Sequence, residues 1–288
     1  MTSRHGMAID HVLLTRFNLP TGGVEARIRA GESWLANRWA LFEQYCAPSV
    51  ARQTTSAFSW VIYFDPESPG WLTEAMVPYV DRGLFRPIFR AEVPADALLD
   101  DVRSVVGDPH GILLTTNLDN DDAIAPDFMA RLQAAVECED RQALYLVNGL
   151  VKGPDGVYLH HDPRNAFCSV AAPWITPSTS WDDWHMMLGK NMPVVEIGGA
   201  PGWLQVVHGE NVSNRVRGRL VSPGEWSVAF PAMLDDLADP GSIRLLHDAV
   251  VLDPARRLRD LGRATLRRAA ISMLGKDGMQ SLKMRLRR

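Results

Sequence analysis

Apolar runs rich in β-forming residues alternate with segments of helical spacing through the first half of the chain, and this order restricts the fold most. The runs predict strands at residues 11–17, 58–64, 85–89, 111–116 and 143–150. The segments between them predict helices at residues 33–50, 69–82, 93–106 and 126–138. Such alternation is typical of an α/β fold with a mainly parallel central sheet and flanking helices. The second half is less regular, with predicted strands at 157–159 and 203–207 and a helix at 182–188.

Three carboxylates directly follow the predicted strand 111–116. Asp119, Asp121 and Asp122 are separated only by Asn120. Parallel sheets bind ligands at the carboxyl ends of their strands, so the position favours a site. Like charges so close together repel, and a divalent cation relieves that repulsion. Oxygen ligands suit Mg²⁺ or Mn²⁺, so Asp119 and Asp121 are predicted ligands, with Asp122 as an alternative member of the shell. A solvated acidic turn before the next helix is the structural alternative.

The composition fits a globular protein and excludes several classes. The chain has 288 residues, 46% of them hydrophobic, and a net charge of −4. This excludes disordered and collagen-like chains. The three cysteines have no C-x-x-C spacing, which argues against a disulfide scaffold and favours a reducing compartment. Residues 1–10 lack the apolar core of a signal peptide, and no apolar run is long enough to span a membrane. We therefore expect a cytoplasmic protein.

Four segments, in order, carry a resemblance to a known family. They are residues 14–18 (LTRFN), 41–50 (LFEQYCAPSV), 58–65 (FSWVIYFD) and 118–123 (LDNDDA). The last resembles the metal-binding D-x-D segment of glycosyltransferases with the GT-A fold. Together they resemble the bacterial putative rhamnosyltransferase family over residues 12–215. The resemblance implies a GT-A-like, Rossmann-type nucleotide-diphospho-sugar transferase fold.

The resemblance also implies donor-binding residues. The end of the first strand, with Thr15, Arg16 and Asn18, would lie against the nucleotide. Arg16 could reach the diphosphate, because a guanidinium matches phosphate geometry. Further candidates for the donor pocket are Asp65 after the second strand, Arg52, Asn120 and Arg215. Plain turn chemistry before a proline explains Asp65 equally well.

A second cluster supplies the candidate base and a further metal ligand. Asp182 and Asp183 lie between tryptophans, and inverting GT-A enzymes often carry the catalytic base at such a helix start. We prefer Asp183, although the S-x-x-D pattern is also that of a helix cap. His208 follows an apolar strand 25 residues later, the spacing at which GT-A enzymes often add a histidine to the metal shell. A strand-end histidine that bonds only to backbone is the alternative.

Taken together, the sequence predicts a glycosyltransferase that depends on Mn²⁺ or Mg²⁺. It would move a sugar, rhamnose or another hexose, from a nucleoside-diphosphate sugar to a hydroxyl of a glycan, lipid-linked or small-molecule acceptor, with inversion. Residues 1–254 would form the catalytic domain, with a donor half at about 1–150 and an acceptor half at 151–254. A retaining transferase, a metal-dependent phosphohydrolase and a non-catalytic nucleotide-sugar-binding module remain alternatives.

The charge is unevenly distributed along the chain. Residues 255–288 hold eleven Lys/Arg and two Asp/Glu, a net charge of +9, which leaves −13 on the rest. Arg256, Arg259, Arg263 and Arg267 recur at helical spacing. We expect a basic amphipathic helical tail that can contact an anionic membrane surface or pack on the acidic body. No recognition motif accompanies the charge, so nucleic acid is not an expected partner.

Overall fold

The computed structural model describes residues 8–20, 32–137, 140–208, 215–256 and 258–259. Its strands are β1 Ile9–Arg16, β2 Ser59–Phe64, β3 Arg86–Phe89, β4 Ile112–Asn117, β5 Ala123–Ile124, β6 Gln142–Leu146, β7 Asn148–Gly153, β8 Gly156–His161, β9 Ser169–Pro173, β10 Val194–Ile197, β11 Trp203–Val206 and β12 Arg219–Val221. Its α-helices are α1 Glu32–Leu41, α2 Ala47–Ala51, α3 Gly70–Asp81, α4 Ala95–Val106, α5 Phe128–Ala135 and α6 Gly241–His247. Shorter helical segments lie at Phe42–Cys46 and Asp248–Leu252 (π) and at Leu188–Lys190 and Pro223–Trp226 (3₁₀).

A seven-stranded sheet forms the centre of the molecule. Its order is β10-β6-β9-β4-β1-β2-β3. The pairs β1–β2, β1–β4, β2–β3 and β6–β10 are parallel, and β9 runs antiparallel to both of its neighbours. The predicted α/β class and the mainly parallel central sheet are therefore confirmed.

Helices bury both faces of this sheet, which explains its continuous apolar strands. On one face, Phe17 at the end of β1 contacts Trp39 of α1 and Phe42, with ring centroids 5.7 and 5.6 Å apart. On the other face, Leu98 and Val102 of α4 are buried in one cluster with side chains of β1, β2 and β4. Each such side chain contributes about 1.5–3 kcal/mol by leaving water. The packing fixes the ends of β1 and β4 relative to α1.

The predicted single strand at 143–150 was wrong, because the chain changes sheet within it. Residues up to Leu146 belong to the central sheet, whereas β7 joins a five-stranded sheet of order β12-β8-β7-β11-β5. The backbone carbonyl of Leu146 accepts bonds from the side chains of Asn165 (2.9 Å) and Trp203 (2.8 Å). A continuous apolar run does not reveal which sheet each residue joins.

Two predicted helices also differ from the structure. The helix at 33–50 forms, but a π segment at Phe42–Cys46 interrupts it. The helix at 182–188 was wrong: turns occupy most of that stretch, and a 3₁₀ helix begins only at Leu188. The reason is that the Asp182 carboxylate accepts bonds from the Thr179 N–H and from the hydroxyls of Ser178 and Thr179, which closes a local turn instead of a helix.

The tail prediction falls mostly outside the described residues, because residues 261–288 are not among them. Within the described ranges, no helix has both the length and the apolar character needed to cross a bilayer.

Candidate functional site

The candidate site forms where β1 and β4 end side by side. These strands are parallel neighbours, with Leu14 opposite Asn117. The Leu118 N–H donates to the carbonyl of Leu14 at 3.0 Å. The side-chain amide of Asn120 donates to the carbonyls of Phe17 (2.8 Å) and Arg16 (3.1 Å). Asn120, predicted to contact the donor, thus holds the Asp cluster against the end of β1.

The three carboxylates of the cluster have different surroundings. Asp119 is exposed and accepts a long bond from the Asn117 amide at 3.4 Å. Asp121 is buried, with 7% of its side chain exposed. Asp122 is fully buried, and its Oδ1 accepts the N–H of Val206 at 2.8 Å. Its Oδ2 has no hydrogen-bond partner among the described residues.

Arg38 of α1 is the cation that faces the cluster. Its Nη1 forms an ion pair with Asp121 Oδ2 and lies 3.3 Å from Asn120 Oδ1. Only 12% of the Arg38 side chain is exposed, and its guanidinium lies 5.1 Å from the ring centroid of Trp34. The buried carboxylate of Asp121 therefore has a buried counterion, as burial of a charge requires.

The sequence alone does not single out Arg38. It lies 83 residues before Asp121 and in no motif. Its one local signal is its position four residues after Trp34, which places both side chains on one face of α1. That spacing does not indicate which strand end the face covers.

His208 reaches the same carboxylate from the second sheet. Strand β5 follows the cluster directly and pairs antiparallel with β11, with Ala123 opposite Leu204. This register brings the residues after β11 toward the cluster. His208 Nε2 lies 3.0 Å from Asp121 Oδ2, with 18% of the histidine side chain exposed. Of the four predicted metal ligands, the structure brings these two into direct contact.

Burial and charge set the protonation of the cluster. Burial alone would raise the pKa of Asp121, but the hydrogen bond from His208 and the charge of Arg38 outweigh it and hold the pKa below its usual value. Burial, together with the charges of Asp121 and Asp119, raises the pKa of Asp122 well above its usual value. The cluster therefore keeps one firmly ionised carboxylate, Asp121, beside one that resists ionisation.

The side chains of the cluster are of the chemical kinds that bind a divalent cation. Carboxylate oxygens and one imidazole suit Mn²⁺, and the buried Asp122 Oδ2 is a polar atom that a cation could satisfy. However, no three His, Cys, Asp or Glu side chains form a preformed metal cluster in the part of the chain that the structure describes. Asp121 is turned toward Arg38 and His208 instead. A cation at Asp121 Oδ2 must therefore compete with Arg38.

Arg16 presents a second guanidinium at the end of β1. Its side chain is exposed and its Cζ lies 4.0 Å from the ring centroid of Trp181, a cation–π contact. The Trp181 indole N–H donates to Asn117 Oδ1 at 2.8 Å. Asn117 also donates to Asp119, so Arg16 and Trp181 lie at the same strand ends as the exposed carboxylate.

The other residues predicted near the nucleotide have structural partners. Thr15 is fully buried, and its Oγ1 accepts the indole N–H of Trp60 at 3.0 Å. Asn18 accepts the backbone N–H of Asp65 at 3.0 Å and donates to Ser68 at 3.1 Å. Asp65 is half-buried and accepts an N–H within its own turn at 2.9 Å.

Two predicted arginines are not brought to the cluster by any described contact. Arg52 is exposed and donates to the carbonyl of Pro231 at 3.2 Å. Arg215 is exposed and directly follows residues 209–214, which are not among the residues that the structure describes.

The two candidate bases differ in their hydrogen bonding. Both oxygens of Asp182 accept bonds from Ser178 and Thr179, three in total at 2.6 to 3.0 Å. Asp183 is exposed, and its Oδ1 accepts the N–H of Trp184 at 2.8 Å. Asp183 is therefore the better placed of the two to accept a proton from a ligand.

The sequence matches the model of one protein family. A family model described as putative rhamnosyl transferase matches residues 10–220. No curated protein matches the chain significantly.

Among solved structures, the chain is similar to the inositol-1-phosphate CTP transferase from T. maritima, with 9% identity, TM-score 0.38, and coverage of 81% of this chain and 99% of the other. It is also similar to S. aureus TarS in complex with UDP (10% identity, TM-score 0.41, 72% of this chain and 61% of the other). A third is a putative nucleotide-diphospho-sugar transferase from Desulfovibrio desulfuricans G20 (12% identity, TM-score 0.32, 69% and 81%). At these identities and TM-scores the likenesses assign no ligand to this chain.

Proposed function

Because the chain belongs to the putative rhamnosyl transferase family and is therefore a glycosyltransferase, we propose that it moves rhamnose or another hexose from a nucleoside-diphosphate sugar to an acceptor hydroxyl. The observation that carries this proposal is the meeting of Arg16, Arg38, Asp121 and His208 at the carboxyl ends of β1 and β4. Ligands of open parallel sheets bind at such strand ends. The parallel order β3-β2-β1-β4 also supports the GT-A-like arrangement.

The diphosphate of the donor would lie against the two guanidiniums. Arg16 is exposed and its guanidinium contacts the ring of Trp181, which limits its orientations before a phosphate arrives. Arg38 is paired with Asp121, and a bound diphosphate would offer it a second anionic partner. Asn120 keeps the Asp cluster fixed against β1 while the charges rearrange. Asn18, Asp65 and Arg215 would line the outer part of the donor pocket.

Asp119, Asp121 and His208 would hold Mn²⁺ or Mg²⁺, with the orphaned oxygen of Asp122 beside them. When bound, such an ion supplies positive charge that stabilises the leaving diphosphate. The chain's own contribution is to keep Asp121 ionised, which the lowered pKa of that carboxyl supports.

Asp183 would act as the general base. The acceptor oxygen would form a bond to the anomeric carbon as the bond to the diphosphate breaks, and the hydroxyl proton would pass to the Asp183 carboxylate. Attack opposite the leaving group inverts the anomeric centre. Asp182 would act as a positioning residue, because its three hydrogen bonds hold the turn that presents Asp183.

Transfer can be tested with a panel of nucleoside-diphosphate sugars and acceptors, with products followed by mass spectrometry. We expect Asp121→Asn to lower turnover at least a hundredfold, whereas Asp127→Asn, at an exposed aspartate that precedes α5, leaves it unchanged. Full turnover by the Asp121 variant with saturating donor would reject the site. An unchanged anomeric configuration, measured by NMR, would instead indicate a retaining enzyme.

The base has its own test. Asp183→Asn should abolish the acidic limb of the pH–rate profile, where protonation of the base slows the reaction, and should lower kcat with donor binding unchanged. Asp182→Asn should act through folding of the turn and lower stability as well. If Asp183→Asn turns over like the wild type, that carboxylate is not the base.

We also propose a place and an organisation for this activity. The buried free thiols of Cys46 and Cys168 support a reducing compartment, so the enzyme would work in the cytoplasm. The change of sheet at Val147 supports a donor half at about 1–150 and an acceptor half at 151–254. Residues 255–288 would add a peripheral membrane contact, which bears on lipid-linked acceptors.

A further inference from the structure

The described residues 241–256 and 258–259 form a helical segment whose outer face is apolar and exposed to solvent. Thirteen large hydrophobic side chains are exposed among the described residues, and six of them lie between residues 243 and 258, so they are concentrated and not scattered. They are Ile243 (88% exposed), Leu246 (66%), Val250 (65%), Val251 (50%), Leu252 (42%) and Leu258 (71%). Concentrated exposed apolar side chains mark an interaction surface. We call these six residues the apolar face.

Hydrogen bonds and apolar packing attach the opposite side of the helical segment to the body of the protein. The apolar face therefore remains on the surface. Asp248 is 2% exposed and accepts the N–H of Leu220 in β12 at 2.8 Å. Both oxygens of Asp248 also accept from Arg256 Nη2 at 2.8 Å, and the same nitrogen donates to the carbonyl of Gly218 at 2.9 Å. Leu245 packs against the main core. The apolar face is thus a fixed outer surface of the fold.

Basic residues accompany the apolar face. Arg244 and Arg259 are exposed on the same helical segment, and Arg244 donates to the carbonyl of Asp155. The sequence from residue 255 onward carries +9, whereas the rest carries −13. An apolar face flanked by arginines is the pattern of a helix that lies in a membrane interface.

We propose that the apolar face docks on an anionic lipid bilayer, so that membrane contact begins at Ile243, within residues 1–254, and continues into the basic tail at Leu258. Charge complementarity favours lipid over a second copy of the chain. A symmetric dimer through this face would bring Arg244 and Arg259 of the two copies close together, and these like charges would repel. An anionic bilayer instead attracts the basic residues while it takes up the apolar side chains. This proposal rests on the membrane contact proposed above for residues 255–288 and extends it to the helical segment that carries the apolar face.

Vesicle co-sedimentation of the full-length protein tests the proposal without donor or acceptor. The vesicles are phosphatidylcholine alone, or phosphatidylcholine mixed with an equal amount of phosphatidylglycerol. We expect at least tenfold tighter binding to the anionic vesicles. The triple variant Ile243→Asp, Leu246→Asp, Val250→Asp should lose at least tenfold of that affinity. The matched control Ile175→Asp, Val228→Asp changes side chains that are 90% and 87% exposed elsewhere and should bind like the wild type.

Circular dichroism and the Tm establish that each variant is folded, and light scattering gives its oligomeric state. Equal vesicle binding by the triple variant and the control overturns the proposal, as does equal binding of the wild type to both kinds of vesicle. A wild-type dimer that the triple variant loses, without vesicle binding, assigns the face to a second copy. Sugar transfer in solution by the triple variant is a separate readout. Loss of membrane binding with intact transfer therefore separates this proposal from the proposed enzymatic function.

Discussion

The ion pair between Arg38 and Asp121 makes a quantitative prediction for the variant Arg38→Met. Methionine keeps much of the apolar stem of the side chain and removes the charge. Because the two side chains are 12% and 7% exposed, solvent screens the lost interaction little. Breaking a buried pair costs about 3–5 kcal/mol, and the remaining contact with His208 favours the lower end. For a domain of this size about 1 kcal/mol corresponds to 2–4 °C, so we expect a fall in Tm of about 6–12 °C at pH 7.

The stability that Arg38→Met loses should depend on pH. In the wild type the folded-state pKa of Asp121 is lowered, so its stabilisation is present above the unfolded pKa and is lost as pH falls through the folded pKa. Without Arg38, we expect that pKa to be higher than in the wild type, because the charge of Arg38 lowers it. The variant's deficit should then shrink as pH falls from 7 toward 5, because protonation removes the uncompensated charge. The measurement is thermal unfolding of both proteins at pH 5 and pH 7.

Thermal unfolding with added Mn²⁺ tests whether Arg38 and a divalent cation compete for Asp121. If Arg38 and the cation compete for Asp121, Mn²⁺ should raise the Tm of Arg38→Met more than that of the wild type. Arg38→Lys, which keeps a charge, should lie between them. A Tm for Arg38→Met within about 2 °C of the wild type at pH 7, a shift smaller than 1 kcal/mol would give, would refute the buried ion pair. A deficit that grows on acidification would refute the assigned protonation.

Two further predictions concern the folded core. Burial lowers the pKa of His11 to about 3, so stability should be lost as pH falls from about 6.5 toward 3, by up to ~1.4 kcal/mol per pH unit, and His11→Gln should flatten that dependence in urea titrations. A dependence identical to that of the wild type would show that His11 is not buried in its neutral form. A Cβ at Gly149 would lie 2.0 Å from Cδ2 of Trp203, far inside van der Waals contact, so Gly149→Ala should destabilise the protein by about 1–3 kcal/mol. Gly224→Ala, where no atom lies closer than 3.9 Å to a new Cβ, is the control, and equal Tm values for the two would contradict the packing.

The sequence predicts the first half of the fold well because local periodicity decides it. The strands that become β1, β2 and β4 are buried on both faces, so their apolar runs are unambiguous. The change of sheet at Val147 is set by tertiary partners, Asn165 and Trp203, which periodicity does not contain.

The candidate site is only partly readable from the sequence. Strand order places the Asp cluster at a strand end, and the structure has it there. The roles of the individual carboxylates depend on Arg38 and on the pairing of β5 with β11, both of which are long-range. Thr15 depends on a long-range contact as well, because its hydroxyl accepts the indole N–H of Trp60 inside the core.

Calorimetric titration of nucleoside diphosphates measures directly whether the ends of β1 and β4 bind the donor diphosphate. Uridine, thymidine and guanosine diphosphates would each be titrated with and without Mn²⁺ into the wild type, Asp121→Asn and Asp127→Asn. We predict that one diphosphate binds at least tenfold more tightly with Mn²⁺, that Asp121→Asn loses this gain, and that Asp127→Asn keeps it. Equal affinity of the wild type and Asp121→Asn, with and without Mn²⁺, would show that Asp121 takes no part in binding the diphosphate or the cation.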